Sequence, residues 1–363
     1  MRTISRRRVL RTAALTTSAA ALGPVPSGAT AASTTSAMPA MPAGSRPFRI
    51  DTHHHAVPPA MRRWAVEQGL LPPEGGPRWG RWSLPETIET MERNRIAVGV
   101  ASAPVPSLAF RDRAVAESGT RIINEDLADL VREHPSRFGF FAYLPLRHVD
   151  VALREAAHAL DVLGADGVLL MTNDGARYLG DTAFDPLFAE LDRRGAVVFT
   201  HPAPLPGQDF EVPGMDDWIG DFMLDTTRAA FNLVNSGTMD RHPRISVILS
   251  HAGGFLPYIG GRIEHAGRTG RGPRPEAFRR ALRRFYYDTA APPSPYATPT
   301  LLAAAGPGRL LYGTDWAQTT AAEVAATTRG LERDPALDER MRRAIHRGNA
   351  LKLMPALARR ISR

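Results

Sequence analysis

The chain has no cysteine. That absence excludes disulfides, thiolate metal ligands and a cysteine nucleophile. It has a single lysine, Lys352, in a late helical stretch near the C-terminus. A Schiff-base lysine, or a carboxylated lysine bridging two metal ions, would have to be this residue, which follows the last predicted strand. Two-metal chemistry is therefore disfavoured. Long apolar runs are missing as well. The weakly apolar stretch 12–22 is too short and too polar to span a bilayer, and no later run is long enough. Acidic residues are absent from the first fifty positions. Those positions hold seven arginines (Arg2, Arg6, Arg7, Arg8, Arg11, Arg46 and Arg49) and so supply +7 of the net charge of +8. The rest of the 363-residue chain is nearly balanced. A mixed-charge surface follows, and nucleic acid is excluded as a partner.

What is present begins with a targeting pattern. Ser5-Arg6-Arg7-Arg8-Val9-Leu10-Arg11 fits the twin-arginine form, and Ala29-Thr30-Ala31 offers an A-x-A cleavage site. Residues 1–31 read as a twin-arginine signal peptide and 32–47, rich in Ala, Ser, Thr, Met and Pro, as a flexible linker. The twin-arginine machinery carries folded proteins. A periplasmic or extracellular location, without membrane contact after export, is expected.

From residue 48 onward, short apolar runs alternate with helical patterns. Strands are expected over 48–53, 96–104, 138–146, 167–172, 196–201, 245–251, 285–290 and 310–315. Most are continuously apolar, as strands covered on both faces are. Helices are expected over 85–93, 121–133, 151–163, 185–193, 226–238 and 275–284. Eight βα units predict an α/β fold, a (β/α)8 TIM barrel forming one domain over 48–363. Two long connections, 56–84 with Trp64, Trp79 and Trp82, and 203–224 with Phe210, Trp218 and Phe222, leave the C-terminal ends of strands. They form a partial roof over a site there, or simply pack onto the barrel.

The strand ends carry the chemistry. Ile50-Asp51-Thr52-His53-His54-His55 places His53 and His55 two residues apart, on one face of a strand. His201 ends the fifth predicted strand, His251 the sixth and Asp315 the eighth. On a closed barrel these ends converge. His53, His55, His201 and Asp315 then form a ligand set for one metal ion with room for water or substrate. His251 beside them is suited to hold or deprotonate a metal-bound water, or to move a proton to substrate. His54 and Asp51 are expected to face away from the ligands, and Asp288 to hydrogen-bond loops or ligand histidines. His134 and His242 lie in His-Pro turns. His148, His158, His265 and His346 are expected on the surface or satisfied locally.

These motifs resemble the amidohydrolase superfamily, specifically the amidohydrolase-2 branch of aminocarboxymuconate-semialdehyde decarboxylase-like proteins. The resemblance rests on Asp51-x-His53-x-His55-x-x-Pro58, His201-Pro202, His251-Ala252-Gly253-Gly254, Gly313-Thr314-Asp315 and Asn349-Ala350. Pro135–Leu146 and Asp225–Arg228 are also similar to that branch. The stretch 167–199, with Met171-Thr172-Asn173-Asp174 and Tyr178-Leu179-Gly180, resembles a subgroup acting on salicylate-type acids such as 6-methylsalicylate. The resemblance implies one divalent ion, zinc first and manganese second, on His53, His55, His201 and Asp315. It implies His251 as the catalytic histidine, with Asp315 beside it. It further implies non-oxidative decarboxylation of an aromatic or unsaturated carboxylic acid by a homodimer. The export signal departs from the cytoplasmic catabolic members. Asn173, Arg177 and Trp316 are candidate substrate contacts, and Arg81, Arg177 and Arg228 are candidate partners for a substrate carboxylate. The same ligands could instead generate metal hydroxide for hydrolysis of a lactone, ester or amide. A binding barrel with a degenerate site would hold no stoichiometric metal.

Overall fold

Continuous runs of Val, Ile, Leu and Phe bury both faces of an extended segment, which demands a sheet covered on both sides. The structure, a computed structural model, describes residues 48–207, 213–290 and 294–362. The expected signal peptide and linker, and Phe210, lie outside these residues. Eight parallel strands form in the expected order: β1 (Arg49–His55), β2 (Ile96–Ser102), β3 (Phe138–Tyr143), β4 (Gly167–Met171), β5 (Val197–His201), β6 (Ser246–Leu249), β7 (Tyr286–Asp288) and β8 (Leu310–Leu311). Each pairs with the next. The last meets the first through Thr52 N–H donating to Tyr312 O (2.9 Å) and Asp315 N–H donating to His53 O (2.9 Å). The result is a single parallel eight-stranded near-barrel with helices outside, the TIM-barrel arrangement.

All six expected helices form, five of them with shifted ends. The helix expected over 121–133 starts earlier and runs Arg113–Glu133, capped by the Asp112 side chain accepting from Val115 N–H at 3.0 Å. Gly119 within it conceals the pattern. A Cβ there would sit 2.4 Å from the Trp64 ring, so glycine admits the tryptophan at a small cost in helix propensity. Trp64 and Trp79 are buried and pack the first long connection down; Trp218 is exposed. The C-terminal helix Pro355–Ile361 covers the other end of the barrel, with Leu357 buried and Arg360 paired to Asp166 at 2.7 Å. Among the described residues no helix is long and apolar enough to cross a membrane.

Two features correct the strand assignments. β6 stops at Leu249 and β8 at Leu311, so His251 and Asp315 lie on the turns that follow. Their φ angles, 52° and 60°, are left-handed and cannot continue a ladder. β1 also carries one extra residue relative to β2, because Asp51 pairs with Gly99 but His54 with Ala101. Such a bulge shifts the face to which the following side chains point. Asp51 therefore turns to His54 and Thr314 although it lies two residues before His53.

Candidate metal centre and active site

Five side chains from β1, β5 and the turns after β6 and β8 meet at the C-terminal mouth. One ligand atom from each of His53, His55, His201 and Asp315 lies within 4.8 Å of the others. His53 Nε2 is 3.2 Å from His55 Nε2, and Asp315 Oδ1 is 3.2 Å from the former and 3.1 Å from the latter. That buried carboxylate oxygen has no hydrogen-bond partner of acceptable geometry. Three imidazoles and a carboxylate oxygen crowded this closely, with an acceptor left unsatisfied, fit a cation between them.

Outer contacts hold the Nδ1 of each of the three imidazoles. His53 Nδ1 is 2.8 Å from Asp288 Oδ2, His55 Nδ1 is 3.0 Å from Ser102 Oγ, and His201 Nδ1 donates to Pro202 O at 3.0 Å. All three leave Nε2 for a metal. Asp288 also accepts from His251 N–H (2.8 Å) and Ala290 N–H (3.1 Å), so one buried carboxylate holds both a ligand and the His251 turn. Asp51 accepts from Thr314 N–H (3.0 Å) and Oγ1 (2.5 Å) and lies 2.9 Å from His54 Nδ1. It anchors the turn that presents Asp315. Left-handed φ at a residue other than glycine costs about 1–3 kcal/mol and persists where surrounding contacts impose it. The backbone bonds of Asp51 and Asp288 are those contacts. Gly254 completes the His251 turn, since a Cβ there would meet Met223 O at 2.2 Å.

The electrostatics suit metal binding. Burial holds His55 below its ordinary value, and burial together with the neighbouring histidines holds His201 well below it. Burial also opposes a charge on His53, but Asp288 and Asp315 outweigh it and raise His53 to about 10. Burial would raise the Asp315 carboxyl, yet His53 foremost keeps it well below the usual carboxylate range. The two carboxylates thus favour positive charge at the cluster, which a cation would supply. His251 completes the group: its Nε2 is 3.5 Å from Asp315 Oδ2 and its ring centroid is 4.9 Å from that of His53.

An amidohydrolase family profile matches residues 50–355. The chain belongs to the amidohydrolase family. It is 35% identical over 323 residues to 6-methylsalicylic acid decarboxylase from Penicillium expansum, covering 85% of this chain and 97% of that one. Its fold resembles a crystal structure of an amidohydrolase II with a TM-score of 0.77 at 27% identity, covering 85% of this chain and 99% of the other. It also resembles dihydroxybenzoic acid decarboxylase from Polaromonas sp. JS666, solved with bound manganese and the inhibitor 2-nitroresorcinol. That TM-score is 0.73 at 23% identity, over 85% and 97% of the two chains, a likeness of fold.

Among the described residues, the structure joins no candidate substrate contact to the cluster through a side-chain hydrogen bond or ion pair. Asn173 donates to Asp225 Oδ1 (2.9 Å), and its own Oδ1 accepts from Gly175 N–H (2.8 Å). Arg177 pairs with Asp174 at 3.2 Å and lies over Phe184. Trp316 is buried, donates to Thr87 Oγ1 (3.0 Å) and lies under Arg78. Arg81 and Arg228 are exposed. His346 departs from expectation. It is buried between Phe48 and Tyr312, and its Nδ1 has no partner. Ser102 gave no signal in the sequence, because a serine ending an Ala-rich strand carries no motif.

Proposed function

We propose that this chain is a metal-dependent, non-oxidative decarboxylase of an aromatic carboxylic acid, with salicylate-type acids favoured. The observation that carries the proposal is the His53–His55–His201–Asp315 cluster with His251 beside it, in a chain 35% identical to a 6-methylsalicylic acid decarboxylase. The four ligands would hold one divalent ion. Their three imidazoles favour zinc; manganese, the ion in the Polaromonas structure, is the alternative. When bound, the ion supplies Lewis acidity and a template for the substrate's carboxylate and adjacent hydroxyl.

The residues of the chain handle the proton. Decarboxylation forms a C–H bond at the ring carbon and breaks its bond to the carboxylate. The electron pair of that bond returns to the ring, and carbon dioxide leaves. A proton taken up from solvent reaches the ring carbon through His251 and the neighbouring Asp315 carboxylate, or through water that His251 orients. The 3.5 Å approach of His251 Nε2 to Asp315 Oδ2 lets these two groups share it. His53 and His55 are buried, so the floor of the site lies away from bulk water.

The test is elemental analysis of the purified protein, then an assay of carbon dioxide release from hydroxybenzoates, 6-methylsalicylate first. Metal-dependent release from at least one acid is the expected result. Acid release from lactones, esters or amides without carbon dioxide would assign the site to hydrolysis, and a protein without stoichiometric metal would remove both readings.

Three further proposals rest on sequence and family resemblance. Residues 1–31 direct export through the twin-arginine machinery to the periplasm or cell exterior, residues 32–47 link them to the barrel domain, and the enzyme works as a homodimer. A reporter fused to residues 1–47 should lose export when Arg6 and Arg7 become lysine, and light scattering should give twice the protomer mass.

A further inference from the structure

Barrel interiors are filled by layers of four side chains from alternate strands. One layer here comprises His53 on β1, Phe141 on β3, Phe199 on β5 and Asp288 on β7. The His53 and Phe199 rings are 5.0 Å apart, Phe199 and Phe141 5.4 Å, and His53 Nδ1 is 2.8 Å from Asp288. Two residues further along a strand, a side chain returns to the same face one layer higher. The next layer is therefore His55, Tyr143, His201 and Ala290. His55 and His201 in it are metal-ligand candidates with ring centroids 5.0 Å apart. Pairing is regular across β3, β4 and β5, with Tyr143 opposite Leu169 and Leu169 opposite Phe199, so no bulge breaks the alternation.

Tyr143 is fully buried and its hydroxyl has no hydrogen-bond partner. The rest of the residue is fixed. Asn124 donates to its carbonyl (3.1 Å) and accepts from its N–H (2.8 Å), and its ring centroid lies 4.8 Å from that of Phe110. A rigid ring with an idle oxygen is what a preorganised ligand contact looks like. Burial raises the phenol above its ordinary range, so it keeps its proton and can donate.

We propose that Tyr143 binds substrate, its hydroxyl donating a hydrogen bond to the carboxylate of an aromatic acid held at the level of His55 and His201. The proposal rests on the decarboxylase reading and names a specificity contact within it. Such a bond holds the bound acid and adds nothing at the ring carbon that takes the proton. Its loss should raise KM and Kd and leave kcat nearly unchanged.

The experiment compares Tyr143→Phe with the wild type, both loaded with metal, using salicylate titration by calorimetry and 6-methylsalicylate turnover. The expected result is about tenfold weaker salicylate binding and a similar rise in KM. The kcat should stay within about twofold. Metal content and Tm should be preserved, and phenol, which lacks the carboxylate, should bind both proteins equally. Equal salicylate affinity overturns the proposal, as does a variant that loses metal or stability, since the hydroxyl would then serve the fold. A wild type that binds salicylate but releases no carbon dioxide defeats the decarboxylase reading alone, and the affinity ratio still judges Tyr143. A wild type that binds no aromatic acid overturns both.

Discussion

Acid should weaken this barrel through His346. The residue lies in the π-helical turn Ala344–Gly348, with ring centroids 5.5 Å from Phe48 and 5.4 Å from Tyr312. Burial first, then the charges of Arg49, Arg342 and Arg95, hold it down at about 3. In the unfolded chain it titrates near ~6.5. Between these values the unfolded state binds the proton and the folded state does not. Stability from this residue is thus complete above about pH 6.5 and is lost as pH falls towards 3. At pH 5 the unfolded chain is favoured by about 1.5 pH units of proton binding, or about 2 kcal/mol. His346→Phe keeps a ring in the aromatic slot and removes the titration. Urea unfolding of both proteins at pH 7.5 and pH 5 gives the comparison. Titration of the metal ligands contributes equally to both and drops out. The wild type should lose about 2 kcal/mol more than the variant on acidification. Equal losses, within roughly 0.5 kcal/mol, would show that His346 is protonated in the folded barrel or that the slot opens to admit solvent.

Other outcomes follow from the site. His251→Ala should keep stoichiometric metal while turnover falls by about 10²–10⁴-fold; full turnover would remove His251 from proton delivery. Asp288→Ala takes the acceptor from His53 Nδ1 and from the His251 N–H, so metal affinity, read by chelator competition, should drop by about 10–100-fold. Removal of metal by chelation should abolish carbon dioxide release and lower Tm, with both restored by zinc or manganese. An unchanged Tm would mean that the cluster is already stable without a cation.

The cluster of His53, His55, His201 and Asp315 was legible because its signals are local. Two histidines at spacing two must share a face of a strand, and His-Pro and Gly-Thr-Asp each close an apolar run that only a strand explains. Eight such runs, separated by helical patterns, leave few topologies other than a closed parallel barrel. Residues that act through turns and layers were harder to place. His251 and Asp315 look like strand ends in the letters, yet both sit at left-handed φ just beyond the strands. His and Asp enter that conformation more readily than most residues, but the preference is too weak to place it in a sequence, and the grip of Asp288 and Asp51 imposes it here. Asp51 itself is moved by one extra residue in β1, which depends on pairing with β2.

Tyr143 and Ser102 mark the limit of local reading. Each sits inside or at the end of an apolar run and matches no motif. Each gains meaning only from its height in the barrel, which depends on the register of neighbouring strands rather than on residues nearby in sequence. Ser102 at that height meets the Nδ1 of a ligand, and its role is explained by a 3.0 Å contact. The Tyr143 hydroxyl, on the neighbouring strand, has no hydrogen-bond partner among the described residues. A barrel interior packed this closely does not leave a phenol oxygen idle without cost. The two residues thus serve the same end of the barrel from neighbouring strands. One fixes the ligand that faces the metal, and the other waits for the molecule the metal will hold.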